Sequence, residues 1–192
     1  IRAFYDAGCR YLQLDDTSWG EFCDANKRKA YNKRGLDLDK IAKSYVDMIN
    51  LALEAKPKDM TITMHICRGN FRSTWFSSGG YEPVAEILFG HCKVDGFFLE
   101  YDSERSGDFS PLRFIKDQKV VLGLITSKFA KLEDKEEVKK RIQEAEKYVA
   151  KEQLCLSPQC GFSSTEEGNI MTEDEQWAKV KLVKEIAEEV WG

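Results

Sequence analysis

Five short apolar runs, each closed by a polar cluster, constrain this chain more than any other feature. They are Tyr11-Leu-Gln-Leu-Asp15, the run from Thr61 to Met64 that carries on to Cys67, Gly96-Phe-Phe-Leu-Glu100, Val120 to Ile125, and Leu154-Cys-Leu156. Each has the length of a strand, and helix-like or irregular sequence separates each from the next. Strands that alternate with helices predict an α/β fold with a parallel sheet. Continuous apolar runs are expected of strands covered on both faces. Polar residues gather after the carboxyl end of each run, where a (β/α)8 barrel places its site. An open doubly wound sheet does the same, but no glycine-rich fingerprint follows the first run. Five strands cannot close an eight-stranded barrel, so a barrel reading makes this chain the second, C-terminal part of one.

The intervening sequence fits that order. Ile1 to Ala7 reads as the end of a helix stopped by Gly8. Trp19 to Gly35 is a long connection of mixed charge, partly helical. A helix is predicted from Asp37 to Ala55, with Leu38, Ile41, Tyr45, Met48 and Ala52 as its apolar stripe and Pro57 beyond it. A Gly- and Ser-rich loop runs from Arg68 to Gly80, and Tyr81 to Phe89 is a short helix. The helix from Asp134 to Glu152 buries Val138, Ile142, Ala145 and Val149. The last helix opens on Thr172 and Glu175, a capping box, and turns Trp177, Val180, Val183, Ala187 and Val190 inward. No repeat or linker divides residues 1–192, which read as a single domain. The chain opens on Ile1 inside a helical pattern, so further sequence is expected upstream, and no signal peptide is seen.

Composition narrows the function. A net charge of -4 gives no electrostatic footprint for nucleic acid, and no apolar run reaches the length of a membrane span. Six cysteines at irregular spacing (Cys9, Cys23, Cys67, Cys92, Cys155, Cys160) do not look like a disulfide framework and point to a cytoplasmic setting.

Four strand-end residues stand out: His65, Cys67, Glu100 and Cys160. His65 and Cys67 are two residues apart on a strand, so they face the same way, roughly 7 Å apart at about 3.3 Å per residue. In a parallel barrel all four converge on one mouth. Two sulfurs, an imidazole and a carboxylate suit a tetrahedral zinc site. So many anionic ligands make a poor Lewis acid for hydrolysis, but a coordinated substrate thiol still ionises. The ligand types therefore favour alkyl transfer to sulfur over activation of water. Buried cysteines without a metal, and a structural zinc, are the plainer alternatives. Cys9, Cys23, Cys92, Cys155 and His91 read as structural.

Read together, Gln13-Leu-Asp15-Asp16, His65-Ile-Cys67-Arg-Gly-Asn70, Phe98-Leu-Glu100 with the following Ser103-Glu-Arg-Ser106, Leu122-Gly-Leu-Ile-Thr-Ser-Lys128 and Ser157-Pro-Gln-Cys160-Gly-Phe162 resemble the catalytic barrel of cobalamin-independent methionine synthases, in particular their short, single-barrel relatives. The resemblance spans nearly the whole chain. It implies zinc on His65, Cys67, Glu100 and Cys160, and a methyltransferase that alkylates homocysteine with a folate-type methyl donor. It places Asp15 on the amino end of homocysteine and Glu21 near the donor. Three departures accompany it. Asp16-Thr17 replace the family's Glu-Pro, Lys128 stands where the family has a catalytic histidine, and the first barrel strands are missing. Two other readings follow: an epoxide–thiol alkyltransferase of the same family, and a non-catalytic remnant stapled by zinc. Missing strands would leave sheet edges open to self-association.

Overall fold

The structure, a computed structural model, describes residues 1–192. Five strands form one sheet: β1 (Tyr11–Asp16), β2 (Thr61–Ile66), β3 (Gly96–Glu100), β4 (Lys119–Ile125) and β5 (Leu154–Pro158). All four pairings are parallel and the spatial order is β1-β2-β3-β4-β5. That strictly sequential order separates the two candidate architectures. A doubly wound sheet reverses direction at a switch point, whereas a (β/α)8 barrel adds each strand beside the last. The five strands are an arc of barrel type.

Seven helices connect or flank them: α1 (Arg2–Asp6), α2 (Ser18–Cys23), α3 (Ala25–Lys33), α4 (Leu38–Leu53), α5 (Glu82–His91), α6 (Lys135–Ala145) and α7 (Glu173–Trp191). Their starts are written in side chains. Asp24 accepts from the amides of Asn26 and Lys27 at the head of α3, Asp37 from Lys40 at α4, and Asp134 from Glu137 at α6. The capping box at Thr172 and Glu175 is present in full.

Several expectations need correction. The connection after β1 is mostly helical: α2 and α3 fill it, and Trp19 is wholly buried against Phe22 and Tyr45. The stripe of α4 is shifted from the expected one. Leu38, Ala42, Val46 and Leu53 are buried, while Met48 and Ala52 face solvent. α6 ends at Ala145, shorter than expected, although Val149 is still buried in the turn that follows. α7 is turned from the expected facing: Lys179, Leu182 and Ile186 are buried and Trp177 and Val180 are exposed, while Val183 and Val190 pack half-buried against the core as expected. Lys179 explains that rotation. Its Nζ donates to both oxygens of Glu133 and to the carbonyl of Lys131, locking this face of α7 onto the β4–α6 connection. Finally, only β2, β3 and β4 are covered on both faces. β1 alternates, with Tyr11, Gln13 and Asp15 exposed, and both β1 and β5 are edges of this sheet.

Candidate metal centre

The carboxyl ends of β2, β3 and β5 converge. His65 is the fifth residue of β2 and Cys67 lies just past its end; the amide of Cys67 still pairs with the carbonyl of Asp16, so the strand pairing fixes both. The donor atoms of His65, Cys67 and Cys160 all lie within 4.8 Å of one another. The two sulfurs are 3.9 Å apart. A tetrahedral ion at the usual zinc–sulfur distance would hold two sulfurs about 3.8 Å apart. Glu100, fully buried, brings Oε1 to 3.6 Å from His65 Nε2 but stands outside the mutual distance of the other three.

Non-local ties hold this geometry. Parallel pairing sets Asp15 opposite His65, and Asp15 Oδ1 accepts from His65 Nδ1 at 3.0 Å. A carboxylate fixing the imidazole in this way is the usual support of a metal-bound histidine. Nε2 then faces the Gln159 carbonyl at 3.2 Å. Gln159 takes both the amide and the hydroxyl of Ser127 on its Oε1, which seats the Cys160 turn against the end of β4. That seat needs Gly123: a Cβ there would meet Gln159 Cα at 2.7 Å and the Leu99 carbonyl at 2.8 Å. Past Cys67, Gly69 has φ 98° and its amide donates to the Cys67 sulfur at 3.4 Å. Asn70 Nδ2 donates to the Gly161 carbonyl and to Ser164, joining the loop after β2 to the loop after β5.

Charge is arranged as the donor set demands. Burial alone would lower the His65 pKa, but bonds to Asp15 and Glu100 outweigh it and raise it to about 10. The two thiols titrate as a pair: Cys67 keeps a proton that it shares with Cys160, so Cys160 ionises first. Glu100 stays ionised despite burial because His65, the Arg68 amide and Arg105 all bond it. Protons on His65 and Cys67 thus occupy the donor atoms that a soft divalent cation would displace them from. The residues present fit zinc.

The other expected site residues sit nearby in different ways. Asp15 is exposed as well as bonded to His65, so it has an oxygen open to solvent. Glu21 lies on α2, half-buried, and accepts from the Tyr31 hydroxyl at 2.8 Å; it is not brought into the donor cluster. Lys128 is fully buried at the end of β4. Its Nζ donates to the Gly69 carbonyl at 3.0 Å and to Asn70 Oδ1 at 2.5 Å. Burial lowers its pKa, opposed by the charges of Glu100 and Cys160. Sequence reasoning gave no role to Asn70, Gln159, Arg68 or Arg105, although each lies within five residues of a proposed ligand and inside a motif that carries the resemblance. Arg68 is wholly buried with its guanidinium 4.3 Å from the Tyr81 ring, and its amide donates to Glu100.

A family model described as the catalytic domain of cobalamin-independent synthase matches residues 1–189. The chain belongs to this family. Among curated proteins it is 58% identical to YxjH and 55% identical to YxjG of Bacillus subtilis, both of uncharacterised activity, each over 100% of this chain and 51% of the relative. A Listeria monocytogenes structure, provisionally named a vitamin-B12 independent methionine synthase, aligns with TM-score 0.79 at 49% identity over 100% of this chain and 52% of that one. A B12-independent methionine synthase from Shewanella sp. W3-18-1, solved with selenomethionine, aligns with TM-score 0.71 at 22% identity, covering 98% of this chain and 50% of that one, and shares the fold. The chain spans about half the length of these relatives. The cobalamin-independent synthase fold therefore accounts for the sequential parallel arc. As in other barrels of this kind, chemistry belongs at the carboxyl ends of the strands. No helix here is long and apolar enough to cross a membrane.

Proposed function

We propose that this chain carries the zinc-binding portion of a methyltransferase that alkylates the sulfur of homocysteine to give methionine. The observation that carries this reading is the meeting of His65, Cys67 and Cys160 within 4.8 Å beside the buried Glu100. These four residues would hold the ion. Bound zinc would ionise the acceptor thiol and keep the sulfur nucleophilic.

The chain's own residues supply position. Asp15 fixes the His65 ring through one oxygen and offers the exposed one to the amino group of the acceptor. Lys128 and Asn70 tie the loops carrying Cys67 and Cys160 together, so Lys128 acts as a positioning cation rather than as a proton relay. Glu21, on the α2 helix that follows β1, is the residue we assign to the donor side. In the transfer, the sulfur–methyl bond forms as the methyl–donor bond breaks, and the electron pair leaves with the donor. Six free cysteines support work in a reducing, cytoplasmic compartment.

The test is metal content and methionine formation in the wild type and in Cys160→Ser. One zinc per chain should fall to near none in the variant, with methyl transfer lost in parallel. Full zinc in Cys160→Ser would remove Cys160 from the set. Faster turnover of a thiol lacking the amino group than of homocysteine would assign the acceptor to the epoxide–thiol branch instead.

A further inference from the structure

Glu100 is held from two sides. Its Oε1 accepts from the Arg68 amide at 2.9 Å and faces His65, while its Oε2 accepts from Arg105 Nη2 at 3.0 Å. The same Nη2 donates to Asp102 Oδ1 at 2.6 Å. All three side chains are nearly sealed: Glu100 is 0% exposed, Asp102 4% and Arg105 7%. The backbone of Arg105 is anchored too, since its carbonyl accepts from the Gly79 amide at 2.7 Å.

Arg105 uses only one of its nitrogens for both carboxylates. Its Nε and Nη1 are buried and have no partner. A buried guanidinium with unspent donors beside a carboxylate has the capacity for a second, parallel bond to it. An acceptor thiol entering a four-ligand site needs either a vacated position or a larger shell. Glu100, the hard oxygen donor among softer ones, is the ligand to give way. A carboxylate that leaves a cation inside a dry site needs a second positive charge to receive it, or its burial is too costly.

We propose that Arg105, seated by Asp102, is the positioning residue that receives the Glu100 carboxylate when the acceptor thiol enters; this rests on the metal-centre reading above. Arg105 weakens the hold of Glu100 on the ion without touching the reacting sulfur. Asp102 competes for the same nitrogen and sets how much of the guanidinium is available.

The experiment loads the protein with cobalt(II) in place of zinc and follows its visible absorption during titration with homocysteine. Arg105→Gln should raise the thiol midpoint roughly tenfold or more, the scale of one lost charge-assisted hydrogen bond, while cobalt stoichiometry holds and cobalt affinity does not fall. Arg105→Lys should recover most of the shift. Asp102→Asn keeps an acceptor for Arg105 but removes the competing charge, and should move the midpoint the other way. An unchanged midpoint in both Arg105→Gln and Asp102→Asn, or a loss of cobalt affinity that matches the loss of thiol affinity, would overturn the proposal and leave the metal centre standing. A wild type that takes up no cobalt would instead remove the metal centre itself.

Discussion

The two ends of the sheet use similar residue types to opposite effect. At the amino ends of the strands lies the larger cavity, about 850 Å³, lined by His91, Cys92, Asp95 and Lys119 among others. At the carboxyl ends the cavity beside His65 and Cys160 is only about 200 Å³. Both are lined by a histidine and a cysteine, and charged groups line the first and lie behind the second. At the amino end Asp95 is spent on fastening: it takes Lys56 Nζ on both oxygens and the Ile62 amide, at the wet rim of the sheet. At the carboxyl end, Glu100, Lys128 and Arg68 are wholly buried and the Arg105 side chain nearly so; Arg105 pairs with Glu100, and Lys128 bonds the loop that follows β2. Cavity size does not mark the chemistry. Convergence of donor atoms and the depth at which charge is held do.

The comparison can be broken by substitutions at each end. The largest effect is expected at the mouth. Asp15→Ala removes the group that orients His65, and should weaken zinc binding roughly 10- to 100-fold, as loss of such a support typically does; competition with a chromophoric chelator would read it. An unchanged zinc affinity would mean that strand register alone orients the ring.

An intermediate effect belongs to Asp24, which joins the α3 cap to the loop that follows Cys67 by accepting from Ser78 as well. Asp24→Ala should cost about 1 kcal/mol in chemical denaturation. Its partial burial would raise the carboxyl pKa, but the amides of Ser78, Lys27 and Asn26 more than offset that and lower it. The stabilisation is therefore complete above the ordinary aspartate value and is lost as pH falls through the depressed one. The gap between wild type and Asp24→Ala should close below about pH 4, and a gap that persisted there would point to packing instead of charge.

The smallest effect is expected at the amino end. Lys56→Met deletes a partly exposed ion pair and should change stability by less than about 1 kcal/mol with zinc content untouched. A loss of zinc in that variant would erase the distinction between the two ends.

The strand order, the parallel sheet and the strand-end donors His65, Cys67 and Cys160 that meet at the mouth were legible because each is written in a short stretch: an apolar run and the polar residues closing it. The facing of α4 was not. Leu38, Ile41, Ala42, Tyr45, Val46, Ile49 and Leu53 cover so wide an arc that packing against α5 chooses among several stripes of equal hydropathy. α7 was misread for a different reason. Hydropathy puts lysine outside, and the partner that draws Lys179 in is 46 residues away. The supports of the site share this property. Gln159 to Ser127, Asn70 to Ser164 and Lys128 to Gly69 each cross between loops. Arg105 stands in a motif close to Glu100 in sequence, but nothing in the motif tells its role until its burial and its two carboxylate partners are known.

Gly123 brings no functional group to the mouth, yet it governs whether one can exist. Because β4 is bare at that point, the backbone carrying Cys160 can settle close enough for its sulfur to meet the one on the far side of the arc. A single methyl group would act as a wedge under the last strand, prising one half of the donor set away from the other while every ligand stayed in place in the sequence. The veto over assembly of the centre thus sits with the smallest residue in it.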